Sequence, residues 1–320
     1  MTPPRRPLGL ARRLPIPVPP ALNETSESYL RRLAAINYLS FDDLHDHLGI
    51  KPGLVQLRLH PPHVARLVAI TGYPLPQLVR ALPQLSGTRA DVAVHLNSPR
   101  PACPHCTRRH RGGRVFRYYP TNVHICPKHK IWVTGTIENQ QLIVDIGHIS
   151  AITAAHTRHR RAAIASPTRE IRHAFYVAHD IWDKLPDHPA TAAYDQRLAR
   201  LGLDPSGRVS IDDARYLAAS YPNVVDIAVV LASPQWQRIG PSKRRLMRLL
   251  RKLGERIVGE GGIYWPYYNG DPLAKWVNAL TPTRIDWERL RPPAHRHLIR
   301  CHDRLRRPPG EQPPVLIDLL

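Results

Sequence analysis

Apolar residues recur with the 3.6-residue period of short amphipathic helices over much of the chain. In NETSESYLRRLAAINYLSFDDLHDHLGI, Tyr29, Leu30, Leu33 and Ile36 form one stripe. Asn23, Thr25 or Ser26 can cap that helix, and Glu27 places negative charge in its first turn. Ser40 with Asp43 three residues on predicts a capping box opening a second helix, which Gly49 ends. PPHVARLVAITGYPLPQLVRAL predicts a helix, a turn at Gly72 and a further helix from about Leu75. Two helices about such a turn resemble a helix-turn-helix, although the pattern fits any αα-hairpin. The second helix would offer base edges chiefly Gln77, Arg80 and Gln84, so a helical packing unit is the preferred reading.

Downstream, SAITAAHTRHRRAAIA, TREIRHAFYVAHDIWDKL, ATAAYDQRLARLGL, SIDDARYLAASYPNVVDIAVVLASPQW and PSKRRLMRLLRKLGERIV predict further helices. In the last, Leu246, Leu249, Leu250, Leu253 and Ile257 share one face. Lys243, Arg244, Arg245, Arg248, Arg251, Lys252 and Arg256 occupy the others. PPAHRHLIRCHDRLRR reads as a short helix before a proline-rich tail. Strand signals are confined to VFRYY, IWVTGTI and QLIVDI. The expected fold class is mainly α. It comprises an extended Pro/Arg-rich arm (1–22), a helix-turn-helix-like helical unit (23–98), a small zinc finger with a short β-hairpin (99–136), a C-terminal helical domain (137–307) and a Pro-rich tail (308–320).

Composition adds charge. The chain of 320 residues carries 46 Lys and Arg against 25 Asp and Glu, a net charge of +21. Such an excess points to a polyanionic partner, nucleic acid first. Arginine supplies 39 of the 46, which a GC-rich genome would also produce, but here the charge is clustered as well as abundant. No run of about 18 apolar residues exists to span a membrane. The basic N-terminal stretch lacks the apolar segment of a secretory signal. Cytoplasmic, nucleoid-associated localisation is expected.

Three of the four cysteines lie in ACPHCTRRHRGGRVFRYYPTNVHICPKHKIWV. Cys103, Cys106, Cys126 and His129 form C-x2-C-x19-C-x2-H, two ligand pairs whose turns can aim backbone amides at the thiolates. Four protein donors with no open position describe one closed, structural Zn²⁺ site. His105, His110 and His124 are nearby and are expected at the surface. RVFRYY is expected to form the hairpin that returns the chain to the ion.

The same stretch argues against chemistry. From Val92 to Ile137 there is no Asp or Glu against eight Lys and Arg. Eight cations and a divalent ion outweigh three thiolates by seven charges. A zinc deaminase needs an upstream H-x-E and a Pro directly before the Cys-x-x-Cys, and both are missing. There is no Walker A motif, and RGGR and GEGG are too short to cradle phosphates in that way. Too few strands are present for a carboxylate-trio nuclease. Candidate DNA-contacting residues are Arg108, Arg109, Arg111, Arg114, Arg117, Lys128 and Lys130 of the finger. Gln77 and Arg80 of the hairpin join them, with Lys243, Arg244, Arg245 and Arg248 of the basic helix. Tyr118, Tyr119 and Trp132 are expected to pack the finger rather than stack on bases.

Three segments together resemble the TniQ family. LPIPVPPALNETSESYLRRLAAINYLS is similar to its opening, with Glu-Ser, Tyr-Leu-x-Arg-Leu-Ala and Asn-x-Leu-Ser. LVAITGYPLPQLVRAL is similar to its Thr-Gly helix pair, and CPHC with YYPTNVHICPKH to its zinc finger. The resemblance covers about residues 14 to 165. It implies a non-catalytic accessory protein of DNA transposition that links target recognition to the transposase, often through an AAA+ ATPase. Some such proteins serve with a CRISPR effector complex or another target-recognition protein. Cys103, Cys106, Cys126 and His129 carry over as finger ligands. The family often has two fingers, whereas the cysteine count here permits one. The alternative is a helix-turn-helix/zinc-finger transcriptional regulator. A homodimer is left open.

Overall fold

The computed structural model describes residues 11–50, 59–85, 99–120, 122–133, 143–185, 192–205, 213–237, 242–259, 262–266, 270–281, 285–287 and 298–300. The described residues are mainly helical, with a few short strands, as the periodicity predicts. They form two compact units, one of residues 1–153 with 208–218, the other of 154–207 with 219–320.

The first unit opens with α1 (Ser26–Ile36) and α2 (Phe41–Leu48). Thr25 caps α1 by accepting from Ser28 N, and Ser40 and Asp43 close the expected capping box. Gly49 ends α2 in the left-handed conformation, which glycine adopts without steric cost. Next come α3 (Pro61–Thr71) and α4 (Leu75–Ala81), joined through left-handed Gly72. Tyr29, Leu30 and Leu33 of α1 meet Leu44, Leu48, Leu67, Ile70, Leu78 and Leu82 in one core. The arm is extended from residue 11 and packs on helices of its own chain. Leu14 N donates to Ile70 O, Asn37 brackets the Ile16 backbone, and Val18 is buried in the core.

The cysteine segment belongs to the same unit. Strand β1 (Arg100–Pro101) precedes a single helical turn, α5 (Pro104–Thr107), and pairs antiparallel with β2 (Phe116–Arg117). β3 (Ile125–Cys126), β4 (Ile131–Trp132) and β5 (Val144–Asp145) form a second antiparallel sheet in that order. The tight hairpin therefore lies at the second ligand pair, between β3 and β4. RVFRYY, expected to fold on itself, instead crosses back to Arg100–Pro101.

The second unit is built on the end of α6 (Ser150–Ala165), then α7 (Thr168–Asp183), α8 (Ala192–Arg200), α9 (Ala214–Leu231), α10 (Pro234–Gln237) and α11 (Lys243–Val258). Along α11, Leu246, Leu249, Leu250, Leu253 and Ile257 are all buried and the seven cations all exposed, as the spacing predicts. Gly254 sits where a Cβ would lie 2.4 Å from Gly262 and Ile263 backbone, so glycine lets β6 (Ile263–Trp265) cross the helix. Inside α9, Pro222 removes a backbone donor. Beside that break, buried Arg197 donates Nε to Ala219 O at 2.7 Å and Nη2 to Asn223 Oδ1.

Two features depart from expectation. A helix over Pro272–Leu280 (α12) was not predicted, although Asp271 followed by Pro272 is a readable start: Asp271 accepts from Leu273 N and Ala274 N. Residues 298–300, expected within a helix, form β7 (Leu298–Arg300), parallel to β6. That extended pairing satisfies backbone groups that a helix would have satisfied internally. Cys301 and the proline-rich tail lie outside the described residues.

Candidate metal centre and basic surfaces

The four predicted ligands converge. Nδ1 of His129 lies 3.4 Å from Cys103 Sγ, 3.3 Å from Cys106 Sγ and 3.6 Å from Cys126 Sγ. Cys106 and Cys126 sulfurs are 3.6 Å apart, and all four donor atoms lie within 4.8 Å of one another. A tetrahedral ion with zinc-like bonds of about 2.3 Å to sulfur and about 2.0 Å to nitrogen needs edges of about 3.8 Å and about 3.5 Å. The cage has that size and can hold one metal ion.

Local structure explains the convergence. The α5 turn directs the amides of His105 and Cys106 at the Cys103 sulfur, and the β3–β4 turn directs those of Lys128 and His129 at Cys126. Burial pushes the Cys103 thiol up and that of Cys106 up to about 11. Burial also opposes the Cys126 thiolate, but the His129 amide and hydrogen bonds from Cys106 and Cys103 outweigh it and lower its pKa. Lys130 takes a positive φ of 51° as the chain leaves the turn. Sulfur–amide bonds of this kind hold a thiolate ready for a cation.

Around the cage, packing accounts for the aromatic residues. Trp132 is buried and stacks on His124, ring centroids 5.6 Å apart. Tyr118 is buried, and Tyr119 lies against the guanidinium groups of Arg100 and Arg117 at 5.1 and 5.4 Å. Two histidine expectations change. His124 is buried beneath Trp132, not at the surface, and half-buried His110 approaches Pro19 O at 3.3 Å. His105 is exposed as expected, its ring 5.2 Å from that of His129.

The loop between the ligand pairs is anchored by a feature the sequence did not announce. Glu24 and Arg32 are 0% and 1% exposed and pair twice, Nε to Oε1 at 2.8 Å and Nη2 to Oε2 at 2.7 Å. Ser28 Oγ and Ala21 N also donate to Glu24. Arg32 further donates to Pro19 O and to Arg111 O. One guanidinium thus reads main-chain carbonyls of both the arm and the cysteine segment. Gly112, at φ 93°, lies where a Cβ would come 2.4 Å from Arg32 O, so the RGGR turn hugs α1 and no side chain fits there. Ser28 Oγ accepts from Phe116 N, and Thr25 N and Tyr118 N complete the seam with Phe116 O and Asn23 O. The only signal for Arg32 was its place in the Tyr-Leu-x-Arg-Leu-Ala motif.

Among the cations, Arg108, Arg109, Arg111, Arg114, Lys128 and Lys130 are exposed, while Arg117 is half-buried. Gln77 and Arg80 are exposed on α4. Gln84 is engaged: its Oε1 accepts from Ser26 N at 2.7 Å, at the start of α1. Lys243, Arg244, Arg245 and Arg248 are exposed on α11, in the second unit. Further along that helix, Lys252 pairs with Glu255 at 3.5 Å.

A helical hairpin, a closed Cys3His cage and a helix carrying Tyr-Leu-x-Arg-Leu-Ala are combined in one unit, and the TniQ family model matches residues 15–132. The chain carries a TniQ domain. TniQ proteins are accessory to transposition. The match ends at Trp132, within the hairpin that holds the second ligand pair, so the TniQ region includes all four candidate ligands. No curated protein and no solved structure matches the chain. Among the described residues, no helix is long and apolar enough to cross a membrane.

Proposed function

We propose that the chain is a non-catalytic, zinc-containing DNA-binding adaptor of transposition. In this reading it links target-site recognition to the transposase and AAA+ ATPase of its element, with or without a CRISPR effector complex or other target-recognition protein. Zn²⁺ is the ion of the Cys3His cage: three thiolates and one imidazole on a tetrahedral frame are its preferred set. With all four positions filled by protein, the ion's role is to close the fold. The observation that carries the reading is the loop 107–114. It follows Cys106 directly, is held midway by Arg32 at the Arg111 carbonyl and at its far end by Ser28 at the Arg114 carbonyl, and it presents Arg108, Arg109, Arg111 and Arg114 to solvent in an acid-free stretch. Such a loop suits phosphate contact. Lys128 and Lys130 extend it. On α11, Lys243, Arg244, Arg245 and Arg248 form a second cationic surface, and Gln77 and Arg80 are the candidate base readers.

Salt-dependent duplex binding tests the assignment. Affinity should fall steeply with salt, and Arg108→Ala with Arg109→Ala should reduce the slope of log K against log salt by about two, roughly one for each phosphate no longer neutralised. A flat salt response in the parent protein would refute the basic-surface assignment. Co-purification with the ATPase and transposase encoded beside it is expected; promoter binding without such partners would favour the transcriptional alternative. Strand cleavage or deamination that disappears with the zinc ligands would restore an enzyme.

A further inference from the structure

The outer face of α7 is used by none of the surfaces assigned to the adaptor. Arg169, Arg172, His173 and Tyr176 are all exposed, and their spacing of i, i+3, i+4 and i+7 puts them on one face. Ile171, Ala174, Ala178, Ile181 and Trp182 are buried on the opposite face. Tyr176 is 59% exposed; among the described residues Tyr38, at 92%, is the other strongly exposed tyrosine, and it lies outside this cationic face. Tyr176 shares the cationic face with the two arginines and the histidine. Neither Arg169 nor Arg172 has an acidic partner among the described residues. One helical turn beyond Tyr176, Asp180 closes the cationic stretch. The preceding helix carries exposed Arg160 and Arg161 near its end, so residues 160–176 hold four arginines, His173 and one acid, half-buried Glu170.

We propose that this face binds a nucleic-acid strand carrying unpaired bases. Tyr176 stacks on one base, and Arg169 and Arg172 meet the neighbouring phosphates. Charge complementarity selects a polyanion. The exposed ring selects an unpaired base, because only an unstacked base offers its face to an aromatic side chain. Contact with a duplex backbone alone would leave the ring without a purpose. The inference is independent of the cysteine segment and of α11, which are assigned to duplex phosphates.

The test uses the full chain loaded with zinc and follows fluorescence anisotropy of labelled oligo(dT), oligo(U) and a hairpin duplex. Tyr176→Ala should weaken binding of an unpaired strand by about tenfold, the range of one base–aromatic stack. Tyr176→Phe, which keeps the ring, should bind as the parent does, and duplex affinity should be unchanged in both. Preference for oligo(dT) or for oligo(U) identifies the natural strand as DNA or RNA. Parent-like binding by Tyr176→Ala overturns the proposal, as does equal weakening on strand and duplex. So does a Tyr176→Ala effect seen only on a complex with an acidic protein. Loss of duplex binding in the Arg108/Arg109 variant with oligo(dT) binding intact would separate failure of one surface from failure of the other.

Discussion

The cysteine segment and the second unit reach stability by opposite routes. Around the cage, the buried apolar cluster amounts to Ile131 and Val133 beside Cys103 and Cys126, with Tyr119 at its edge. Its strands are two residues long. So small a core offsets little of the entropy of ordering the loops around it, which leaves the Cys3His cage and the Glu24–Arg32 seam to hold them in place. The second unit buries whole helix faces, from Ile171 and Ile181 of α7 to Leu249, Leu250 and Leu253 of α11. Its polar insertions serve local geometry: Arg197 at the Pro222 break, and Asp271 at the head of α12, where it also accepts from Tyr264 OH at 3.0 Å. The difference teaches where perturbation should act. Ligand and charge changes should damage the cysteine segment, and apolar changes the second unit.

Removing the metal should have the largest effect. Cys103→Ser or a chelator should unfold the cysteine segment while most helical circular dichroism persists, and the parent should contain about one zinc per chain by elemental analysis. A folded, metal-free protein would break the comparison outright. Next comes Arg32→Ala, which leaves the Glu24 carboxylate buried and unpaired; a loss of about 3–5 kcal/mol in denaturant unfolding is expected. A loss below about 1 kcal/mol would mean that the pair is not the seam described.

The third prediction concerns the second unit. His156 and His159 both hydrogen-bond the Tyr221 hydroxyl, at 3.2 and 2.9 Å, and His159 stacks on Phe175. Burial lowers both imidazoles to about 4. Because their folded values lie below the unfolded one, the unfolded chain takes up these protons first. Stability is therefore complete above about pH 6.5 and is lost as pH falls toward about 4. By pH 5 the loss should be on the order of 2 kcal/mol per histidine. His156→Gln with His159→Phe should flatten that part of the profile; an unchanged slope would assign the acid sensitivity elsewhere.

Much of this was legible in the sequence where a signal is local. The capping box at Ser40 and Asp43, the Gly72 turn and the apolar stripe of α11 each depend on residues within a few positions, and each is found. The ligand quartet was legible because metal chemistry restricts both residue type and spacing. The Glu24–Arg32 pair was not. Its meaning depends on carbonyls of Pro19 and Arg111, brought together by the fold and not by sequence. The burial of His124 and Arg100 follows from cross-strand neighbours and was equally hidden. The place of the hairpin was hidden too, because β1, the partner of Phe116–Arg117, lies before the first ligand and outside the stretch between the ligand pairs.

The hydrogen bond between Arg32 and Arg111, 79 residues apart, has a consequence for time as well as for energy. A nascent chain completes α1 long before Arg111 is made, and until then one donor of a guanidinium destined for burial lacks its acceptor. The seam between α1 and the cysteine segment therefore closes only once that segment is made, whereas the apolar core of the N-terminal helices has no need to wait. Newly made protein starved of zinc should show its defect at the seam with α1 as well as at the cysteines.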